Sequence, residues 1–291
     1  MPPFFVGVIN RVKSIIAGRT GPPILQLYHD IFKLIKKNAV YSRSTSCIFR
    51  IVPLTSLLIV LCAGMLLPIA SPSPISFQGD VILFVYLFAL ARFLTITAAL
   101  DTASSFEGMG ASREATYGAL SEITIFIVLM TLVIIVKSLS LNKMLTHGQN
   151  VFVADPSVIL LFLAFFFIML TENSRMPIDD PHTHLELTMI HEVMILDYSG
   201  PDLGIILYGA SIKLFVFMAF TAMIIFPCSE GPVWAGTGIL FLKVLAVSIM
   251  TGLVESFTAR IKLIRIPQML IASFVLTLFA LLITLFDQRM L

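Results

Sequence analysis

Long apolar runs separated by short polar ones dominate the chain, and their lengths set the expected fold. A helix needs about 20 apolar residues to cross roughly 30 Å of hydrocarbon at about 1.5 Å per residue. Runs of that length fall at approximately 49–70, 80–100, 116–138, 154–172, 203–227, 236–257 and 268–287, which predicts seven transmembrane helices. The opening MPPFFVGVI predicts a short or truncated N-terminal helix, because nine residues reach only about 14 Å and do not span alone. It is not a secretory signal, since its charges, Arg11 and Lys13, follow the apolar stretch instead of preceding it.

The polar stretch GRTGPPILQLYHDIFKLIKK, residues 18–37, has a different period. Gly21, Pro22 and Pro23 break the preceding helix and turn the chain. After them Ile24, Leu27, Tyr28, Ile31, Leu34 and Ile35 share one helical face, with Gln26, His29, Asp30, Lys33, Lys36 and Lys37 on another. This predicts an amphipathic helix over about 23–37 lying along the membrane surface. Pattern alone favours a basic anchor for anionic membrane lipid, but helical periodicity does not separate lipid from protein as what the apolar face meets.

Composition makes membrane insertion the only sensible class: of 291 residues, 58% are hydrophobic and 12% charged, and the mean hydropathy is +0.98. The expected fold is an all-α integral membrane protein, a single polytopic domain over residues 1–291, with no nucleic-acid partner. Thirteen lysines and arginines fall on the side of residues 11–50 and three, Lys137, Lys143 and Arg289, on the other. The positive-inside rule therefore places 11–50, 101–115, 173–202 and 258–267 in the cytoplasm, with the chain in the cell (inner) membrane. Cys47, Cys62 and Cys228 show no metal-ligand spacing, so no metal site is expected in this chain and any redox centre comes from a partner.

Charges inside the spans carry the mechanistic signal, because an ionisable group in hydrocarbon costs at least about 2.5–3.5 kcal/mol and normally faces a bundle interior or water. Arg92 and Lys213 sit near mid-span, Lys243 lies toward the outside, and Glu122, Glu172 and Glu255 fall in the cytoplasmic half. The three carboxylates are expected at similar depth and near one another. Together the six suggest a polar path for protons, the plainer reading being static ion pairs that hold helices in register. His182, His184 and His191 have no metal-site spacing and read as ordinary loop histidines.

Two further polar islands are expected on the same side as residues 18–37: LDTASSFEGMGASREATYGALSE at 100–122 and TENSRMPIDDPHTHLELTMIHEVMILDYSG at 171–200. The stretch RTGPPILQLYHDIFKLIKK resembles the RxGP…Q…D..KL..K signature of the subunit-1 family of respiratory complex I (NADH:quinone oxidoreductase) and its hydrogenase relatives. Glu172, Arg175, Pro177, Asp179, Glu186, Leu187 and Tyr198-Ser199-Gly200 match that family's E-x-x-R-x-P-x-D…E-L…YSG loop. LDTASSF followed by GASRE is most similar to the membrane subunit of energy-converting nickel–iron hydrogenases, of the formate hydrogenlyase and hydrogenase-4 type. His182 and His184 stand where complex I members carry acids, so roles tied to those two positions do not transfer.

The resemblance implies a heel-like subunit that links a cytoplasmic redox arm to ion-pumping membrane subunits. Expected partners are hydrogenase-like large and small subunits, an iron–sulfur subunit and antiporter-like membrane subunits. Iron–sulfur clusters and a nickel–iron centre would belong to those partners. Arg19, Asp30, Lys33, Asp101, Arg113, Glu114, Arg175, Asp179 and Glu186 are the expected docking or cavity residues. The alternatives are a quinone-site subunit of a quinone-reducing complex and, from another class, a stand-alone cation transporter. A carrier would be expected to show an internal repeat, and the three islands are unlike one another.

Overall fold

Apolar runs of this length close their backbone hydrogen bonds within the run, which in lipid leaves helices as the economical solution. The computed structural model describes residues 1–42, 44–69, 73–146, 156–175, 190–227, 233–258 and 266–290. The helices among the described residues are α1 (Pro2–Ile16), α2 (Gln26–Ile35), α3 (Cys47–Leu66), α4 (Asp80–Asp101), α5 (Ser105–Val136), α6 (Leu141–Thr146), α7 (Pro156–Glu172), α8 (Gly200–Ile225), α9 (Val233–Phe257) and α10 (Ile266–Met290), with a 3-10 turn at Val193–Ile195. Among the described residues six helices, α3, α4, α5, α8, α9 and α10, are long and apolar enough to cross a membrane.

Three expectations change. The fourth expected span is α7, a helix of only 17 residues. The island at 101–115, read as a loop, is helical from Ser105 onward, so α5 runs for 32 residues. Its first turns are polar but keep helical spacing, with Glu107, Gly110, Ala111 and Glu114 buried on one face. The N-terminal helix is 15 residues long, not nine, and continues through Arg11 and Lys13 to Ile16.

The amphipathic helix is α2, slightly shorter than expected, and its inner face meets this chain's own helices. A Cβ on Gly204 of α8 would lie 3.3 Å from Leu34 and 3.6 Å from Ile35, while Ile31 is buried and Phe32 is exposed. The Gly-Pro-Pro turn brings α2 back alongside α1: a Cβ on Gly7 would sit 1.9 Å from the carbonyl oxygen of Ile24. Only glycine permits that approach.

The core is aromatic and lies where α4, α7 and α8 meet. Phe165 packs on Phe220 at 4.8 Å between ring centroids, Phe88 on Phe217 at 4.9 Å, and Phe84 on Phe220 at 5.8 Å. Phe5 of α1 stacks on Phe215 at 5.5 Å, seating the N-terminal helix against α8. Such rings contribute large buried areas and prefer these offset geometries.

Candidate functional site

The described parts of the polar islands gather at one end of the bundle, and the Tyr198-Ser199-Gly200 triplet explains how. Tyr198 donates its hydroxyl to the Phe49 carbonyl at 2.9 Å and stacks on the Phe49 ring at 3.9 Å. Ser199 Oγ accepts from the Val40 amide at 2.9 Å. Gly200 adopts φ +57, and a Cβ there would meet the Asn38 carbonyl oxygen at 2.7 Å, so the position requires glycine. Tyr198 thus clamps the start of α3, and Ser199 and Gly200 clamp the segment between α2 and α3. Burial, and then the negative charges of Asp202, Glu107 and Asp101, hold the Tyr198 phenol well above its ordinary pKa. Glu107, in the first turn of α5, accepts from the Asp197 amide at 3.0 Å and ties 190–199 to α5.

Beneath this end lies a buried ion network on Arg92 of α4. Its Nη1 donates to Glu122 and its Nη2 to Glu172, which also accepts from Ser121. Its Nε lies 3.2 Å from Glu114. Lys213 of α8 donates to the second oxygen of Glu172 at 2.9 Å, and His191 Nε2 lies 3.3 Å from Glu114 Oε2. The group joins α4, α5, α7, α8 and the 190–199 segment. Arg92 and Lys213 carry two positive charges against three from Glu114, Glu122 and Glu172, so the network holds one negative charge in excess while His191 is neutral.

Helix α7 ends inside the bundle to supply this site. Ser174 takes a left-handed φ of 51, and the amide of Arg175 bonds the Leu170 carbonyl while that of Ser174 bonds the Thr171 carbonyl. These are the two bonds of a Schellman stop. Glu172 is therefore in the last turn, where a carboxylate opposes the helix dipole, and Arg92, Lys213 and Ser121 compensate it. Arg92 lies nine residues before the end of α4 and Lys213 thirteen after the start of α8, about 14 and 20 Å along their helices. Between neighbours that run further, the end of α7 is recessed.

Glu255 lies outside this network, so the expected cluster of three carboxylates divides into two groups. In α9 it pairs with Lys13 of α1 at 2.9 Å, and its other oxygen lies 3.8 Å from Arg175. Arg175 stands three residues beyond Glu172, between the two groups. Lys243 belongs to neither, since its ammonium donates to the carbonyls of Phe226 and Pro227 at 2.9 and 3.0 Å, beyond the far end of α8.

The expected docking residues separate by environment. Arg19 and Lys33 are exposed; Asp30 accepts from Gln26 at 2.9 Å. Asp101 accepts from the Ser46 amide at 2.7 Å and from its hydroxyl at 2.9 Å, bracing the start of α3. Arg113 is half-buried in α5, and Glu114 is a buried member of the network instead of a loop residue. Asp179, Glu186, His182 and His184 lie outside the described residues. Among the described residues no group of three or more His, Cys, Asp or Glu side chains is arranged to hold a metal. Sequence reasoning missed the network roles of Glu114, His191 and Ser121. For Glu114 and Ser121 the seven-residue spacing, which puts both on one face with Gly118 between, was the available signal.

The chain matches the NADH dehydrogenase family over residues 1–286. It is 30% identical over 270 residues to hydrogenase-4 component C of Escherichia coli, covering 89% of this chain and 84% of that protein. Against formate hydrogenlyase subunit 4 of Escherichia coli it is 28% identical, covering 94% and 90%. Against an NADH-quinone oxidoreductase subunit of Rhodospirillum centenum it is 26% identical, covering 76% and 67%. Its fold is similar to a chain in the structure of a membrane-bound sulfane sulfur reductase, an archaeal respiratory membrane complex, with a TM-score of 0.86, 17% identity and coverage of 97% and 94%. The chain is a multi-pass membrane protein of the NADH dehydrogenase family, whose similar members include membrane subunits of hydrogenase and quinone oxidoreductase complexes.

Proposed function

We propose that this chain is the membrane anchor and coupling subunit of a complex I-like energy-converting hydrogenase or oxidoreductase. It docks a cytoplasmic redox arm and relays redox energy to ion-pumping membrane subunits. The observation that carries the reading is the network of Arg92, Glu114, Glu122, Glu172 and Lys213, which begins under the gathered polar islands and reaches the interior of the bundle. Ion pairs taken this far out of water are poor devices for stability alone. Their cost is reasonable if charge must pass through them. The positive-inside rule puts the polar end in the cytoplasm, where the exposed Arg19 and Lys33 and the half-buried Arg113 would meet the arm. Similarity to hydrogenase-4 component C and formate hydrogenlyase subunit 4 supports a hydrogenase-type arm. Similarity to the NADH-quinone oxidoreductase protein of Rhodospirillum centenum supports a quinone site as the second reading.

Replacing Glu172 with Gln keeps shape and removes charge. In membrane vesicles holding the assembled complex, Glu172→Gln is expected to abolish ion transport per electron transferred while the subunits remain associated. An assembled variant that pumps at the wild-type ratio would reduce the network to structural ion pairing and remove the coupling assignment.

A further inference from the structure

We propose that His191 is the port through which a proton enters and leaves the Arg92 network. The inference rests on the coupling reading above and names where its proton comes from.

Both ring nitrogens of His191 are buried without a hydrogen-bond partner, so the 28% of its side chain that is exposed is carbon and a proton reaches Nδ1 only when the 190–199 segment shifts. Nε2 faces Glu114 Oε2 at 3.3 Å, and the opposite oxygen of Glu114 faces Arg92 Nε at 3.2 Å. The imidazole thus touches both the surface segment 190–199 and the buried network, while Arg92 and Glu172 are 7% and 3% exposed. Among the described residues, Glu107 of α5 accepts from the Asp197 amide through one of its oxygens, and Arg113 and Glu192 have interactions of their own. From α4 the facing charge is Arg92, reached through Glu114.

The charge count gives the port its function. With His191 neutral the network carries one uncompensated negative charge, which is costly away from water. One proton taken from solvent neutralises it in either of two ways. It stays on the imidazole, making a cation opposite Glu114, or it moves from Nε2 to Glu114 Oε2 and returns the ring to neutral. In both states Glu114 binds Arg92 less strongly, so the guanidinium is freer to lean on Glu122 and Glu172. A change at the surface thereby alters charge pairing in the interior. Imidazole suits this task because it ordinarily exchanges protons between about pH 5 and 8.

Glu122 is the competing port, since 36% of its side chain is exposed. The test compares His191→Gln, Glu114→Gln, Glu122→Gln and Glu172→Gln in vesicles holding the whole complex. Ions transported per electron are followed while the pH on the cytoplasmic side is varied between about 6 and 8. His191→Gln and Glu114→Gln are each expected to assemble, to flatten the pH profile and to lower transport at least about tenfold. His191→Lys, which keeps a positive charge opposite Glu114, is expected to assemble and to show a flat profile as well. A wild-type profile in His191→Gln together with uncoupling in Glu172→Gln overturns the port and leaves the network's role standing. Wild-type behaviour in both overturns both. A profile flattened by Glu122→Gln and not by His191→Gln assigns the port to Glu122 and refutes the proposal; should His191→Gln fail to assemble, a wild-type profile in Glu114→Gln refutes it equally.

Discussion

Gly118→Ala, one added methyl, tests whether the Arg92 network is as tightly determined as its geometry implies. A Cβ at Gly118 would lie 2.7 Å from both Cδ and Nη1 of Arg92. Ordinary contact begins near 3.4 Å, so the side chain must retreat by about 0.7 Å. An exposed arginine would swing aside at little cost, but this one is held by Glu122 and Glu172. A retreat of that size separates a good charged hydrogen bond, at about 2.8 Å, from a failed one at about 3.5 Å. Two such bonds are at stake, each contributing about 1.5–3 kcal/mol. Alanine returns about 0.5–1 kcal/mol through its better helix propensity. The net expectation is a loss of about 2–5 kcal/mol. Gly108 is the internal control, because it lies in the same helix and a Cβ there meets nothing within 4 Å; Gly108→Ala is expected to be neutral or to stabilise by about 0.5–1 kcal/mol. Thermal unfolding of the purified subunit in detergent, followed by circular dichroism, compares the two. Equal unfolding temperatures for the two variants would refute the claim that Arg92 is pinned.

The remaining predictions concern orientation and alkaline stability. In a chain with Cys62 and Cys228 replaced by alanine, the exposed Cys47 should react with a membrane-impermeant thiol reagent in inverted vesicles and not in intact cells; labelling in intact cells reverses the topology. The phenol of Tyr198 has a pKa raised mainly by burial, so its neutral form is favoured by folding. That contribution is fully present below about pH 10, the unfolded value, and is lost as pH rises above it. Tyr198→Phe, which removes the titration along with the bond to Phe49, should lower stability by about 1 kcal/mol at neutral pH and reduce the further loss on going from about pH 9 to 11. An unchanged alkaline slope would count against the assignment.

Which parts of this were legible in the chain depends on the range of the physics involved. Arg92 and Lys213 stand out in any hydropathy reading, because a charge in hydrocarbon demands a partner wherever it sits. The identity of the partner is another matter: Arg92 finds Glu172 across 80 residues and Lys13 finds Glu255 across 242, and helical periodicity does not encode which helices become neighbours. The start of α5 was missed for a local reason. Glu107, Arg113 and Glu114 lower the hydropathy of 105–115 enough to suggest a loop, whereas the spacing of its buried positions is helical. His191 was legible as a residue and not as a participant, since nothing in the sequence places its ring 3.3 Å from Glu114. The GPP turn and YSG triplet were visible as motifs, but their task became intelligible only when Gly7 and Asn38 were found pressed against them.

The seating of the N-terminal helices has a consequence for biosynthesis. Helix α1 rests on α8 and α9, through Phe5 with Phe215 and Lys13 with Glu255, and α2 rests on α8 through Leu34 and Gly204. A ribosome makes these first helices long before their partners, at about 5–20 residues per second. More than 180 residues separate α1 from the start of α8, so the pair waits on the order of ten seconds or more in the membrane without its final contacts. Closing the chain upon itself is then a late step whose contacts are among the most distant in sequence, the kind that slows folding most. Truncations removing α8 onward should leave α1 and α2 without their docking partners and take away the α8 rings of the central core as well.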